Sequence, residues 1–319
     1  RDLVRSRGLG DVYKRQMVHN GIEYGDMELI AEAYSMLKKR TGLDNDGLGD
    51  IFELWNRGEL NSFLIEITSH ILHYKEENGD YLLDHILDVA GQKGTGKWSV
   101  MAALDEGDPL TLVSEAVFAR FMSSLVNERE RASVQYPSGK VGDMEACITL
   151  NTSGIEAVRD ALYAAKLISY AQGFSLMRRA SERNGWNLDY GTIAKIWRKG
   201  CIIRSVFLER ITQAFTKSPG LQNLLFDAFF HERMENALPA LRGVVVDCVF
   251  NGIAAPCFFS ALSYFDGLRN FTSAANLIQA QRDYFGAHTY ERTDAERGKF
   301  FHTDWTGKGG KTVSGTYNV

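Results

Sequence analysis

Two stretches of this chain are each faintly echoed about 140 residues further on, and a duplicated unit restricts the possible fold more than any other feature of the sequence. Tyr34-Ser35-Met36-Leu37-Lys38-Lys39 returns as Phe174-Ser175-Leu176-Met177-Arg178-Arg179. Ile51-Phe52-Glu53-Leu54-Trp55-Asn56-Arg57-Gly58 returns as Ile193-Ala194-Lys195-Ile196-Trp197-Arg198-Lys199-Gly200. The order is kept and the spacing drifts slightly, as a small insertion would produce. Around these words apolar residues recur at helical spacing, at Met27, Ile30, Ala31, Tyr34 and Leu37 and again at Ile155, Val158, Leu162, Ala165 and Ile168. Leu221, Leu224, Leu225, Ala228 and Phe229 form a third such stripe. Asp44, Asn45 and Asp46 predict the cap of a helix through Ile51, Leu54 and Trp55. Ser218-Pro219-Gly220 punctuates between two helices. Strand-like runs are short, such as Val244-Val245-Val246, and strands do not alternate with helices. The expectation is an all-α domain of two similar helical halves.

Composition removes several function classes. A net charge of −4 leaves no chain-wide electrostatic footprint for nucleic acid. No apolar run approaches the ~18 residues of a membrane span. Hydrophobic content of 45% and charged content of 24% are those of a globular protein. Cys147, Cys201, Cys248 and Cys257 are far apart among apolar neighbours, which predicts reduced core cysteines and a cytoplasmic location.

The polar chemistry gathers at three places. On a helix, positions 16, 19, 20, 23, 24 and 27 share a face, bringing Gln16, His19, Asn20, Glu23, Tyr24 and Met27 together. Gly91-Gln92-Lys93-Gly94-Thr95-Gly96-Lys97-Trp98 nearly matches the phosphate-cradling loop of nucleotide hydrolases, and Val244-Val245-Val246-Asp247 could pass for its acidic strand. Trp98, however, stands where that loop needs a hydroxyl for Mg²⁺. A dinucleotide fingerprint fails too, because Ser99 follows Gly94-Thr95-Gly96 where a third glycine is needed. His70, His73 and His85 include an H-x-x-H spacing, but no cysteine or clear carboxylate completes a metal set, so none is expected.

Met17-Val18-His19-Asn20-Gly21-Ile22-Glu23-Tyr24-Gly25-Asp26 resembles, residue for residue, the first long helix of the catalytic domain of the 6-phosphogluconate dehydrogenase family. Ala90-Gly91-Gln92-Lys93-Gly94-Thr95-Gly96-Lys97-Trp98, Glu115-Ala116-Val117-Phe118-Ala119-Arg120 and Ile278-Gln279-Ala280-Gln281-Arg282-Asp283-Tyr284-Phe285-Gly286-Ala287-His288-Thr289-Tyr290 are similar to further words of that family. The resemblance implies NADP-dependent oxidative decarboxylation of 6-phosphogluconate to ribulose 5-phosphate and CO₂ in the pentose phosphate pathway, by a homodimer. It implies Glu23 as the acid, His19 and Asn20 as holders of substrate and cofactor, and Tyr24, Lys93, Thr95 and Arg120 as phosphate ligands. Arg282 and His288 would reach the partner subunit's site. The family's duplicated helical architecture agrees with the repeat.

The resemblance breaks at Gln16, where the family carries its basic lysine. Upstream, the family has a Rossmann domain holding most of the NADP site. Here residues 1–16 are rich in Arg and Lys, with Arg1, Arg5, Arg7, Lys14 and Arg15 against Asp2 and Asp11, and resemble nothing in it. Three segments are therefore expected: a foreign or unstructured leader over 1–16, the helical catalytic and dimerisation domain over 17–290, and an extended tail over 291–319. The tail is charged from Arg292 to Phe300 and rich in Gly, Thr, Ser and Lys beyond Trp305; its aromatic residues Phe300, Phe301, Trp305 and Tyr317 suggest docking. With the Rossmann domain absent and the base replaced, the chain alone is expected to be inactive. The alternatives are a non-catalytic dimerisation or binding fragment of that family and, more distantly, a P-loop nucleotide hydrolase.

Overall fold

The computed structural model describes residues 2–136, 152–198 and 201–307, of which 2–14 and 152–153 are described as backbone only. Cys147 and Tyr317 lie outside the described residues. Helices run in the order α1 Asp2–Thr41, α2 Asn45–Trp55, α3 Phe63–His73, α4 Thr95–Glu106, α5 Thr111–Ser124, α6 Val126–Gln135, α7 Thr152–Asn184, α8 Tyr190–Arg198, α9 Val206–Lys217, α10 Ala228–Phe250, α11 Pro256–Arg269 and α12 Ala275–Gly286. Two short strands follow, β1 Tyr290–Glu291 and β2 Phe300–Phe301, paired antiparallel. The chain divides into two compact units, residues 1–265 and 266–319. The all-α expectation holds for the described residues, whose strands are only these two.

In the first unit the sequence repeat becomes a structural one. A long helix followed by two shorter ones occurs as α1–α2–α3 and again as α7–α8–α9. The two sets meet reciprocally at the entrances of α3 and α9. Phe63 N–H donates to the Arg204 carbonyl (3.1 Å), and Val206 N–H donates to the Asn61 carbonyl (3.2 Å), bridging Ser62 to Ser205. Asp44 caps α2 as the sequence predicts, its carboxylate accepting from Gly47 N–H at 2.9 Å.

The long helices approach closely because small residues line their contacts. A Cβ at Gly21 would sit 2.7 Å from Ser99 Oγ on α4, and one at Gly25 would sit 2.7 Å from Ser169 Oγ on α7. On the other side, a Cβ at Gly173 of α7 would sit 2.7 Å from Ile22 Cδ1 of α1. Beneath this seam lies an ion pair with both members fully buried, Lys166 Nζ to Asp26 Oδ2 at 2.7 Å, joined by the Tyr170 hydroxyl at 3.2 Å. Arg40 forks onto buried Asp247 with two bonds of 3.1 Å and fastens α1 to α10.

Three expectations need correction. The stripe from Leu221 to Phe229 is not one helix. Asn223 accepts from Leu225 N–H and Asp227 from Phe229 N–H, so two side-chain caps divide it into a 3₁₀ turn and the start of α10. Val244-Val245-Val246 is no strand but lies inside α10, with Val244 buried and Val246 exposed; packing of a helix face overrides β-branched preference. With that strand gone and no α/β layering among the described residues, the P-loop alternative loses its scaffold. Residues expected to be a leader continue the backbone of α1 upstream to Asp2, since each added residue extends an existing hydrogen-bond ladder.

In the second unit the tail is docked on its own helix. Asp283 of α12, fully buried, accepts from Thr289 N–H, His302 Nδ1, Thr303 N–H and Trp305 Nε1.

Candidate functional site

The face predicted on α1 is built at the meeting of α1, α4 and α5. Its residues do not all face solvent. His19 and Tyr24 are buried, Asn20 and Glu23 are half-buried, and Gln16 and Met27 are exposed. Tyr24 is sandwiched. Gly96, in the first turn of α4, is so close that a Cβ there would lie 2.6 Å from the ring. Arg120 of α5 covers the ring from another side, its guanidinium carbon 3.6 Å from the ring centroid. Arg120 Nη1 also donates to the Gly91 carbonyl (3.2 Å), and Nη2 lies 3.5 Å from Met27 Sδ. One guanidinium thus links the α1 face to the glycine-rich loop that carries Lys93 and Thr95.

That loop ends as a helix N-terminus. Gly94 adopts φ +87°, which a residue with a Cβ rarely tolerates, and no side chain caps α4. The first-turn N–H groups of α4 and an exposed Lys93 give a local positive potential, suited to an anionic group. The sequence suggested such exposed N–H groups only under the discarded nucleotide-hydrolase reading. The packing role of Gly96 had no signal in it.

At the other end of the face the polar groups are set against one another. Asn20 Oδ1 accepts from Gln16 Nε2 and from His19 Nδ1, both at 3.2 Å. An amide oxygen only accepts, so His19 carries its proton on Nδ1 and keeps a lone pair on Nε2. Its ring stands edge-on to Trp197 of α8 at 5.5 Å. Burial lowers the imidazole pKa, against the opposing effects of the Asn20 hydrogen bond and the Asp26 charge. Burial likewise raises the Glu23 carboxyl; Arg120 opposes that rise, and Asp26, on the next turn, adds to it. Burial thus favours the uncharged form of both the His19 imidazole and the Glu23 carboxyl.

Arg282 and His288 belong to the second unit. Arg282 Nη1 donates to Gln279 Oε1 (3.1 Å), and His288 stands edge-on to Phe285 at 5.9 Å. Of the three histidines with metal-like spacing, His73 is turned onto the Ser69 carbonyl (2.9 Å) and Asp50 (3.2 Å). Among the described residues no three His, Cys, Asp or Glu side chains gather to hold a metal ion.

A sequence model described as 6-phosphogluconate dehydrogenase, C-terminal domain, matches residues 14–305. The decarboxylating 6-phosphogluconate dehydrogenase of Mus musculus is 53% identical over 318 residues, and that of Treponema pallidum 48% over 320, each match covering 100% of this chain and 65% of the relative. The chain thus spans about 65% of the length of these relatives. Among solved structures, the Plasmodium falciparum 6-phosphogluconate dehydrogenase superposes with a TM-score of 0.86 at 42% identity, over 91% of this chain and 62% of that one. That enzyme was solved in its apo form, with its cofactor NADP⁺ and with its substrate 6-phosphogluconate.

Proposed function

The chain belongs to the 6-phosphogluconate dehydrogenase family through its C-terminal domain, and on that premise we propose that it is the catalytic-domain portion of an NADP-dependent decarboxylase converting 6-phosphogluconate to ribulose 5-phosphate and CO₂. One observation carries the reading. Tyr24, Arg120 and the loop bearing Lys93 and Thr95 come from three distant segments and meet at a single guanidinium.

In this reading the substrate phosphate lies between Lys93, Thr95, Arg120 and the Tyr24 hydroxyl, where an arginine fork presents paired donors and keeps its charge. His19 and Asn20 hold the sugar near the reacting carbons. Bound NADP⁺ would supply the hydride acceptor. Asn20 fits as a residue that would hold the cofactor, because its oxygen is engaged by Gln16 and His19 while its amide nitrogen is left to donate. Oxidation at C3 requires a base for the C3 hydroxyl proton. The resulting β-keto acid then loses CO₂, as its carbonyl accepts the electron pair. Glu23, whose carboxyl pKa burial raises, donates the proton to C1 of the enediol.

The base is the weak point of this chain. Gln16 occupies the position, and a glutamine amide takes no proton near neutral pH. Its Nε2 instead donates to Asn20. That observation favours a second reading, in which the chain serves as a dimerisation or binding fragment that completes a partner's site through Arg282 and His288. An apolar groove of about 300 Å³, lined by Leu277, Ala280, Tyr284, Phe285 and Trp305, supports a homodimer contact on α12 and the tail. Three free cysteines, Cys201, Cys248 and Cys257, support a cytoplasmic setting.

Calorimetric titration with 6-phosphogluconate tests the site. Binding by the chain, weakened about tenfold or more in Lys93→Ala, is expected; absence of binding refutes the reading. Steady-state NADPH formation tests the base. A rate within about tenfold of a full-length relative contradicts the loss assigned to Gln16.

A further inference from the structure

The second unit contains a carboxylate with an unusual workload. Both oxygens of Asp283 accept two bonds each, Oδ1 from Thr289 N–H (3.0 Å) and His302 Nδ1 (2.9 Å), Oδ2 from Thr303 N–H (3.0 Å) and Trp305 Nε1 (2.9 Å). Burial alone would raise its pKa, but these donors outweigh that and keep it below the ordinary range. Three of the donors anchor the tail. The fourth, Thr289 N–H, does something else.

Thr289 adopts φ +56° and Ala287 φ +51°, so His288 sits between two residues in the left-handed region. Neither is glycine, and a β-branched residue there is an outlier. Such a conformation persists only where the surroundings over-determine it. Here they do: Thr289 N–H is held by Asp283, and its carbonyl accepts from Gln279 Nε2. Ala287 N–H closes the end of α12 on the Asp283 carbonyl at 2.9 Å. The imidazole of His288 is turned edge-on to Phe285. An extended backbone at Thr289 would satisfy chain connectivity without strain but would redirect His288.

We propose that Asp283 is a positioning residue, which with Gln279 clamps the left-handed Ala287–His288–Thr289 turn and thereby sets the direction in which His288 is presented to the sugar phosphate. This rests on the reading that His288 contacts 6-phosphogluconate. A carboxylate that only anchored the tail would not need to hold Thr289.

Two variants separate clamping from anchoring. Thr289→Pro removes the N–H that Asp283 holds and forbids the positive φ, while leaving the carboxylate and its three tail donors in place. Asp283→Asn presents an amide N–H to groups that themselves donate. The probes are the imidazole resonances of His288, the indole N–H resonance of Trp305, and calorimetric titration with 6-phosphogluconate. In Thr289→Pro the Trp305 signal should stay, while the His288 signals move toward those of free imidazole and affinity falls about tenfold. In Asp283→Asn both sets of signals should move. Parent-like His288 resonances in Thr289→Pro overturn the proposal, whatever the affinity of the parent chain. A His288→Ala variant that binds 6-phosphogluconate as tightly as the parent overturns the functional reading instead.

Discussion

The guanidinium of Arg120 lies 3.6 Å above the ring of Tyr24. Stacking at that distance holds a planar cation flat and aims its edge rather than its face at the surroundings. A lysine ammonium at the same position keeps the charge but neither the plane nor the paired donors. Arg120→Lys should therefore weaken 6-phosphogluconate binding about tenfold, although net charge is unchanged. Calorimetric titration checks this, and equal affinity in the two proteins would show that charge alone matters.

Gly96 is the other wall of the Tyr24 slot. Its absent Cβ would lie 2.6 Å from a rigid ring in contact with Arg120, so neither neighbour yields cheaply. Alanine there gains helix propensity worth up to ~1 kcal/mol. It loses about 1–3 kcal/mol to overpacking. Gly96→Ala is expected to lower the melting temperature and weaken substrate binding together. A more stable variant with intact binding would contradict the packing argument.

The charge balance at Glu23 gives a prediction with a sign. Burial raises its carboxyl pKa, and Arg120 is the effect that opposes the rise. Removing that cation in Arg120→Gln should move the Glu23 titration to still higher pH, read from its carboxyl carbon resonance. A midpoint that falls would exclude Arg120 as the opposing charge.

Glu32 ties stability to pH elsewhere in the first unit. Its carboxylate accepts from Cys257 N–H (2.8 Å) and Phe258 N–H (3.0 Å) at the start of α11. Burial nevertheless pushes its pKa up to about 8, the backbone bonds opposing. The folded state then holds a proton that the unfolded chain releases near pH 4.5. The proton's contribution to stability is full below that value and is lost as pH rises through about 8. Melting temperature should decline across this window more steeply in the parent than in Glu32→Gln. Parallel profiles would remove Glu32 as the cause.

The duplicated halves, the α2 cap at Asp44 and the polar face of α1 were legible because each is a local pattern. Asn223 and Asp227 were overlooked as caps because the apolar stripe ran straight through them. The contacts within the site were not legible in any local pattern, and only the resemblance grouped Tyr24 with Arg120. Tyr24 meets Arg120 and Gly96, and His19 meets Trp197, through packing between helices distant in sequence. Asp283 lay inside a recognised word, yet its donors extend to Trp305, beyond the reach of any helical periodicity. Resemblance named residues; only the fold supplied their neighbours.

The buried pair of Asp26 and Lys166 has a further consequence. The spacing that carries Tyr34 onto Phe174 also carries position 26 onto position 166. The two members of the pair are thus counterparts in the repeat, and they meet each other directly. In an assembly of two identical halves each residue at such a point would meet its own copy, and two buried like charges would repel. Opposite charges can face each other there only when the two copies are spelled independently along one chain. The pair therefore records that the two halves have diverged, one chain carrying both signs of what a symmetric homodimer would have to leave uncharged.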